Sequence, residues 1–238
     1  MSVRVAKSAG FCFGVSRAVE LVEQAAQAGK KVATLGPIIH NRHVVDKFEK
    51  MGVRVIDTPE EALPGETVII RSHGVSRGVY ERLERQNVEI IDATCPFVKR
   101  IHTIVSRAEE EGRLPIIIGT PTHPEVEGIA GWCTDCRVFA GPEDLENWAK
   151  ANEKLRDSAI CIVSQTTSTE SLWKTCCEIA KKQFTNLKIF DTICRATEYR
   201  QSEAAELSEV CQAMVVVGDP KSSNTGRLAM ICREHCDK

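Results

Sequence analysis

No stretch of this sequence is apolar for long enough to cross a bilayer, so membrane-spanning helices are not expected. The opening residues lack the apolar segment of a secretion signal, and the chain is expected to be cytoplasmic. Net charge is nearly absent, at −2, which gives no argument for nucleic acid or an anionic membrane surface as partner. No segment is low in complexity, and none stands out as a linker. Cysteine, by contrast, is plentiful. Eleven cysteines in a reducing compartment read as thiols or metal ligands rather than disulfides. Apolar residues make up 42% of 238, enough for one α/β body or two to three small units.

The cysteines carry a rhythm. Cys12, Cys95 and Cys194 each lie 24 residues before a glycine, Gly36, Gly119 and Gly218, so both sets share intervals of 83 and 99. Equal offsets of this kind mark an internal repeat. The repeated unit is a cysteine, a helix, a short apolar strand and a glycine loop. The helices are expected over 16–28, 97–111 and about 197–212, and the strands at 31–35, 114–118 and 213–217. A second strand-end loop recurs, Arg71-Ser72-His73-Gly74 in the first unit and Ser164-Gln165-Thr166-Thr167 in the second. Its third copy falls near 255–265, beyond Lys238, so the third unit is expected to be incomplete. Strands alternating with helices predict an α/β fold of three similar units with mainly parallel sheets around a pseudo-threefold axis, a trefoil. The units are bounded at 14–96, 97–193 and 194–238, the last joined by a strand within 1–13. Residues 132–148 read as an extra segment of the second unit.

In open parallel sheets ligands gather beyond the carboxyl ends of the strands, where all these loops lie. Three cysteines at equivalent positions can converge, and three thiolates suit an iron–sulfur cluster with one iron left open. His40, His73 and His123 fall on equivalent loops and, with Ser222, Ser223 and Asn224, form a set suited to an anion, since serines opening a helix offer free backbone N–H groups. Glu125 is the carboxylate beside a histidine, and burial would raise its pKa toward proton delivery. Thr166 and Thr167 can relay a proton or bond a substrate hydroxyl. His43, His102 and His235 read as structural, and Glu127 as a capping or solvent-facing residue. Cys133-Thr-Asp-Cys136 lies in the extra segment with no repeat partner and reads first as structural, with zinc, shared with Cys232 and Cys236, or redox exchange as the functional alternatives. Cys161, Cys176, Cys177 and Cys211 are expected in the core.

The motifs AGFCFGV, GPIIHN, RSHGV, DATCPFV, HPEVEG, SQTT, DTIC and SSNT, in this order from Ser8 to about Leu228, closely resemble the 4-hydroxy-3-methylbut-2-enyl diphosphate reductases, the LytB family. The resemblance implies a [4Fe-4S] cluster on Cys12, Cys95 and Cys194. It implies His40, His73, His123, Ser222, Ser223 and Asn224 as ligands of the substrate diphosphate, Glu125 as the proton-delivering acid, and Thr166 beside the substrate hydroxyl. His123 is counted with the catalytic set as well. The implied reaction removes the allylic hydroxyl with two electrons and two protons, giving isopentenyl and dimethylallyl diphosphates in the last step of the methylerythritol phosphate route. A ferredoxin or flavodoxin is the implied electron donor. The alternative is a truncated, non-enzymatic iron–sulfur or metal-binding relative. Thr122 stands where the family pattern has glycine, and Glu198-Tyr199 where it has Thr-Asn.

Overall fold

A computed structural model describes residues 2–236. After helix α1 (Phe13–Gln27) the first unit runs β1 (Val32–Leu35), α2 (Arg42–Lys50), β2 (Arg54–Ile56), β3 (Thr67–Ile70), α3 (Arg77–Glu84) and β4 (Glu89–Asp92). The second runs α4 (Pro96–Glu110), β5 (Leu114–Ile118), α5 (Pro124–Ala130), β6 (Arg137–Phe139), α6 (Pro142–Ala151), β7 (Ala159–Ser164), α7 (Glu170–Gln183) and β8 (Asn186–Ile189). Each unit builds a four-stranded parallel sheet, ordered β2-β1-β3-β4 in one and β6-β5-β7-β8 in the other. The orders are identical once numbered from each unit's start, which is the repeat seen in the sequence.

The central strands β1, β3, β5 and β7 are mainly apolar and buried almost throughout because both faces of a parallel sheet are covered by helices. Side chains then alternate between two cores. On β3, Ile69 packs with Ala18, Val22 and Phe48 on the α1–α2 side, while Val68 and Ile70 pack with Leu83 on the α3 side. On β5, Ile117 joins Ile101, Val105 and Val126, while Ile116 and Ile118 join Leu145 and Trp173. Helices α1 and α4 are followed by Gly29 and Gly112 at φ 75° and 69°, the left-handed conformation that glycine enters without steric cost.

Two expectations fail. Residues 132–148 are no insertion. They supply β6, which pairs with β5 as β2 pairs with β1. The short β6, with no apolar run of its own, hid the equivalence. The strands expected at 3–6 and 213–217 do not form. A ladder needs a partner for its backbone N–H and C=O groups, and these segments find none among the described residues. Val3, Val5, Val215 and Val217 are correspondingly 91%, 75%, 86% and 91% exposed.

The remaining helices are α8 (Arg195–Val210) and α9 (Ser223–His235), which pack on each other. The N-terminal segment docks on α8. The Glu203 carboxylate accepts the backbone N–H of Lys7 (2.6 Å) and Ser8 (2.8 Å), and the Arg200 guanidinium donates to the carbonyls of Ser8 (3.1 Å) and Gly10 (2.7 Å). Among the described residues no helix is long and apolar enough to cross a membrane.

Candidate active site

The three cysteines occupy one structural position. Cys12, Cys95 and Cys194 are the N-cap residues of α1, α4 and α8. Each helix therefore points its positive end at the site its own cysteine lines. All three line a single cavity of about 300 Å³. Burial pushes the Cys95 thiol upward, the first-turn amides of Phe97 and Val98 pull it down, and the neighbouring Cys12 and Cys194 raise it again. Gly14 leaves room beside Cys95, since a Cβ there would lie 2.6 Å from its Sγ. The spacing also speaks to what these thiols can hold. Among the described residues, the one set of three or more candidate ligands whose atoms all lie within 4.8 Å of one another is His40, His73 and His123, not the cysteines. Three thiolates too far apart to share one ion, on a common cavity, fit a polynuclear iron–sulfur group better than a single zinc.

The histidines line the same cavity. Ring centroids are 4.6 Å apart for His40 and His73, 6.0 Å for His40 and His123, and 5.6 Å for His73 and His123. His123 caps α5, and its Nδ1 accepts the Glu125 backbone N–H at 3.1 Å. In the neutral ring the proton then sits on Nε2, which is left to donate. Burial first, then mutual repulsion and the Arg71 guanidinium, lowers the pKa of His123 to about 4 and that of His73 well below its ordinary value. His40 is lowered by burial, by Arg71 and by Lys221, with Asp219 opposing. The cationic surroundings of Arg71 and Lys221 argue for an anion rather than a metal ion as guest.

Ser222 caps α9, accepting the Thr225 N–H at 3.4 Å. Ser222, Ser223 and Asn224 line the same cavity as the histidines. Six buried side-chain polar atoms have no partner among the described residues. Three of them, on His40, His73 and Asn224, belong to residues that line this cavity. Unpaired buried groups are costly, so their concentration in one cavity indicates a missing ligand.

Glu125 also lines this cavity and is 3% exposed. Its carboxylate accepts the Thr166 backbone N–H at 2.7 Å and the Thr166 hydroxyl at 2.8 Å. Burial raises its pKa, against the pull of those two bonds. The Thr167 hydroxyl is 2.8 Å from the Ser223 hydroxyl, linking the second unit to α9.

Sequence reasoning missed Arg71. It opens the RSHGV motif, and its charge lowers all three histidines. Its signal was present, a cation two residues before a candidate ligand. It also missed Trp132, whose indole N–H donates to the Val75 carbonyl at 2.9 Å and whose ring stacks on His102. This contact fixes the loop carrying His73 against the unit carrying His123. His102 is structural, as expected, and Glu127 and His43 are exposed. Cys161, Cys176 and Cys177 are core residues, but Cys211 is only half-buried because it ends α8 where the unpaired segment begins.

A family model described as LytB protein matches residues 3–238. The 4-hydroxy-3-methylbut-2-enyl diphosphate reductase of Caldanaerobacter subterraneus subsp. tengcongensis is 43% identical over 241 residues, covering 99% of this chain and 82% of the relative. The reductase of Clostridioides difficile is 37% identical, covering 98% and 83%. Among solved structures, an (E)-4-hydroxy-3-methyl-but-2-enyl diphosphate reductase, titled as the terminal enzyme of the non-mevalonate pathway, matches with a TM-score of 0.75 at 37% identity, over 99% of this chain and 83% of that one. The Plasmodium falciparum reductase matches with a TM-score of 0.87 at 29% identity, over 94% and 71%.

Proposed function

The chain belongs to the LytB protein family, a family of reductive enzymes of isoprenoid synthesis, and from that premise we propose that it removes the allylic hydroxyl of 4-hydroxy-3-methylbut-2-enyl diphosphate. The hydroxyl leaves as water, at a cost of two electrons and two protons, giving isopentenyl and dimethylallyl diphosphates. One observation carries the reading. The three cysteines, the Glu125–Thr166 pair and the three histidines all face one cavity.

A [4Fe-4S] cluster held by Cys12, Cys95 and Cys194 would supply the electrons and a Lewis-acidic iron for the leaving oxygen. The protein's part is positioning and proton supply. His40, His73 and His123 donate to the diphosphate oxygens together with Ser222, Ser223, Asn224 and the free amides of the first turn of α9. The Thr166 hydroxyl turns from Glu125 to the substrate hydroxyl. A protonated Glu125, its pKa raised by burial, then passes its proton through Thr166 to the departing oxygen. A ferredoxin or flavodoxin in the cytoplasm would supply electrons. Anaerobic iron and sulfide analysis, with turnover driven by dithionite and a viologen dye, tests the reading. A cluster-loaded protein that fails to bind or reduce the allylic diphosphate would refute it.

We propose the unit boundaries 14–96, 97–193 and 194–238 with 1–13. Their residues Met1, Asp237 and Lys238 lie outside the described ones.

Two outcomes are expected at the anion wall. His40→Ala should weaken binding of pyrophosphate itself by about tenfold or more, as loss of a charge-assisted hydrogen bond implies, while leaving cluster content intact. Calorimetry checks this, and unchanged affinity would move the anion elsewhere. The second concerns pH. Histidines whose folded pKa lies below the unfolded value of about 6.5 bind fewer protons folded than unfolded. Their contribution is fully present above pH ~6.5 and is lost as pH falls toward about 4, the value for His123. A diphosphate raises these pKa values, so it should stabilise the fold most on the acid side of that window. Thermal unfolding from pH 7.5 to 5, with and without pyrophosphate, measures both. A pyrophosphate increment that does not grow as pH falls would contradict the assignment.

A further inference from the structure

The motif Cys133-Thr-Asp-Cys136 is used by none of this chemistry. It forms the turn between α5 and β6, and the turn is already fixed in the reduced protein. The Glu109 carboxylate of α4 accepts the backbone N–H groups of Thr134 (2.6 Å) and Asp135 (3.2 Å), and the Thr134 hydroxyl as well. The Arg137 guanidinium donates to the Cys136 carbonyl at 2.8 Å and to the Asp135 carboxylate. Inside this turn the Cys133 thiol donates to the Ala130 carbonyl at 3.4 Å, and two residues separate it from Cys136. Both are half-buried, open enough for a small reagent. Zinc does not suit the pair. Among the described residues no third ligand completes a group with these sulfurs at single-ion spacing, and Cys232 and Cys236, the partners weighed in the sequence, are buried at α9 in the third unit.

We propose that Cys133 and Cys136 form a dithiol–disulfide exchange site whose oxidant is a low-molecular-weight disulfide of the glutathione class. A preformed turn that separates two thiols by only two residues lowers the entropic cost of joining them. The Cys136 thiolate attacks one sulfur of the disulfide, and the other sulfur leaves with the bonding electron pair and takes a proton. Cys133 then gives up its proton and attacks the mixed disulfide, releasing the second thiol. Two protein thiols and one disulfide become one protein disulfide and two small thiols, with two electrons passed to the oxidant. The order follows from the environments. The Cys133 thiol is held protonated as donor to the Ala130 carbonyl, while the Arg137 guanidinium, which donates to the Cys136 carbonyl, places a positive charge beside Cys136.

The test uses the full, cluster-loaded chain under anaerobic conditions. It is equilibrated with graded ratios of oxidised to reduced glutathione, acid-quenched, alkylated and mapped by mass spectrometry. The peptide spanning 133–136 should lose two hydrogens and both alkylation sites at a lower oxidised fraction than any other cysteine pair, and dithiothreitol should restore it. Cys133→Ser should instead accumulate a glutathione adduct on Cys136. A wild-type peptide that stays doubly alkylated at every ratio, or that carries glutathione adducts with no internal bond, would overturn the proposal. The wild-type mapping decides the matter even if a variant folds poorly.

Discussion

Replacing Glu125 with glutamine is expected to lower turnover by about 10²–10⁴-fold, the usual worth of a positioned proton donor. The amide keeps the size of the side chain, and its carbonyl oxygen can still accept the Thr166 N–H now held at 2.7 Å. What it loses is the acidic proton. Cluster content and pyrophosphate affinity should therefore stay near those of the parent, so that the deficit falls on kcat rather than on binding. A variant with near-normal kcat would mean that the proton comes from another group. One that loses its fold would be recognised by unfolding well below the parent Tm. Thr166→Val should share the defect, because the relay passes through the hydroxyl 2.8 Å from Glu125. The proton donor's raised pKa also gives a direction in pH: kcat should fall as pH rises through that pKa and Glu125 loses its proton.

The larger expected loss comes from the cysteines. Changing any one of Cys12, Cys95 or Cys194 to serine should remove most iron and inorganic sulfide from anaerobically prepared protein and reduce turnover to background. Each occupies the same N-cap position on its helix, so the three substitutions should be equivalent in kind. Cys176→Ser is the control. That sulfur lies in the core against Trp173 and Ile160, and its loss should cost stability but not iron. Equal iron content in Cys194→Ser and the parent would exclude α8 from the site.

Much of this was legible in the sequence because repeat spacing records topology directly. An offset of 24 residues from cysteine to glycine is one helix and one strand in the first two units, and it recurs in the third although 213–217 forms no strand. The apolar runs of β1, β3, β5 and β7 were equally plain, since strands buried on both faces carry few polar residues to confuse the pattern. What escaped was decided by tertiary pairing. Short β6 has an apolar residue only at Val138 and Phe139, and nothing but its partner β5 makes it a strand. Residues 213–217 carry the strongest strand signal in the third unit, yet a strand exists only where a neighbour takes its hydrogen bonds. The Glu125–Thr166 pair joins loops from β5 and β7, adjacent in the sheet but 41 residues apart in sequence. Arg71 was overlooked because its role is electrostatic, through charge on three histidines, rather than a ligand position in a motif.

Mössbauer spectroscopy of the iron-57-loaded protein tests most directly the proposal that Cys12, Cys95 and Cys194 hold a cluster facing a diphosphate substrate in one cavity. Spectra would be taken with no ligand, with pyrophosphate alone and with 4-hydroxy-3-methylbut-2-enyl diphosphate. Three cysteine ligands for four irons predict one iron distinct from the rest. Its signal should change on adding the hydroxylated substrate while the other three stay nearly fixed, and pyrophosphate alone should have little effect. Four equivalent irons that ignore the substrate, or a substrate that binds without altering any of them, would contradict it.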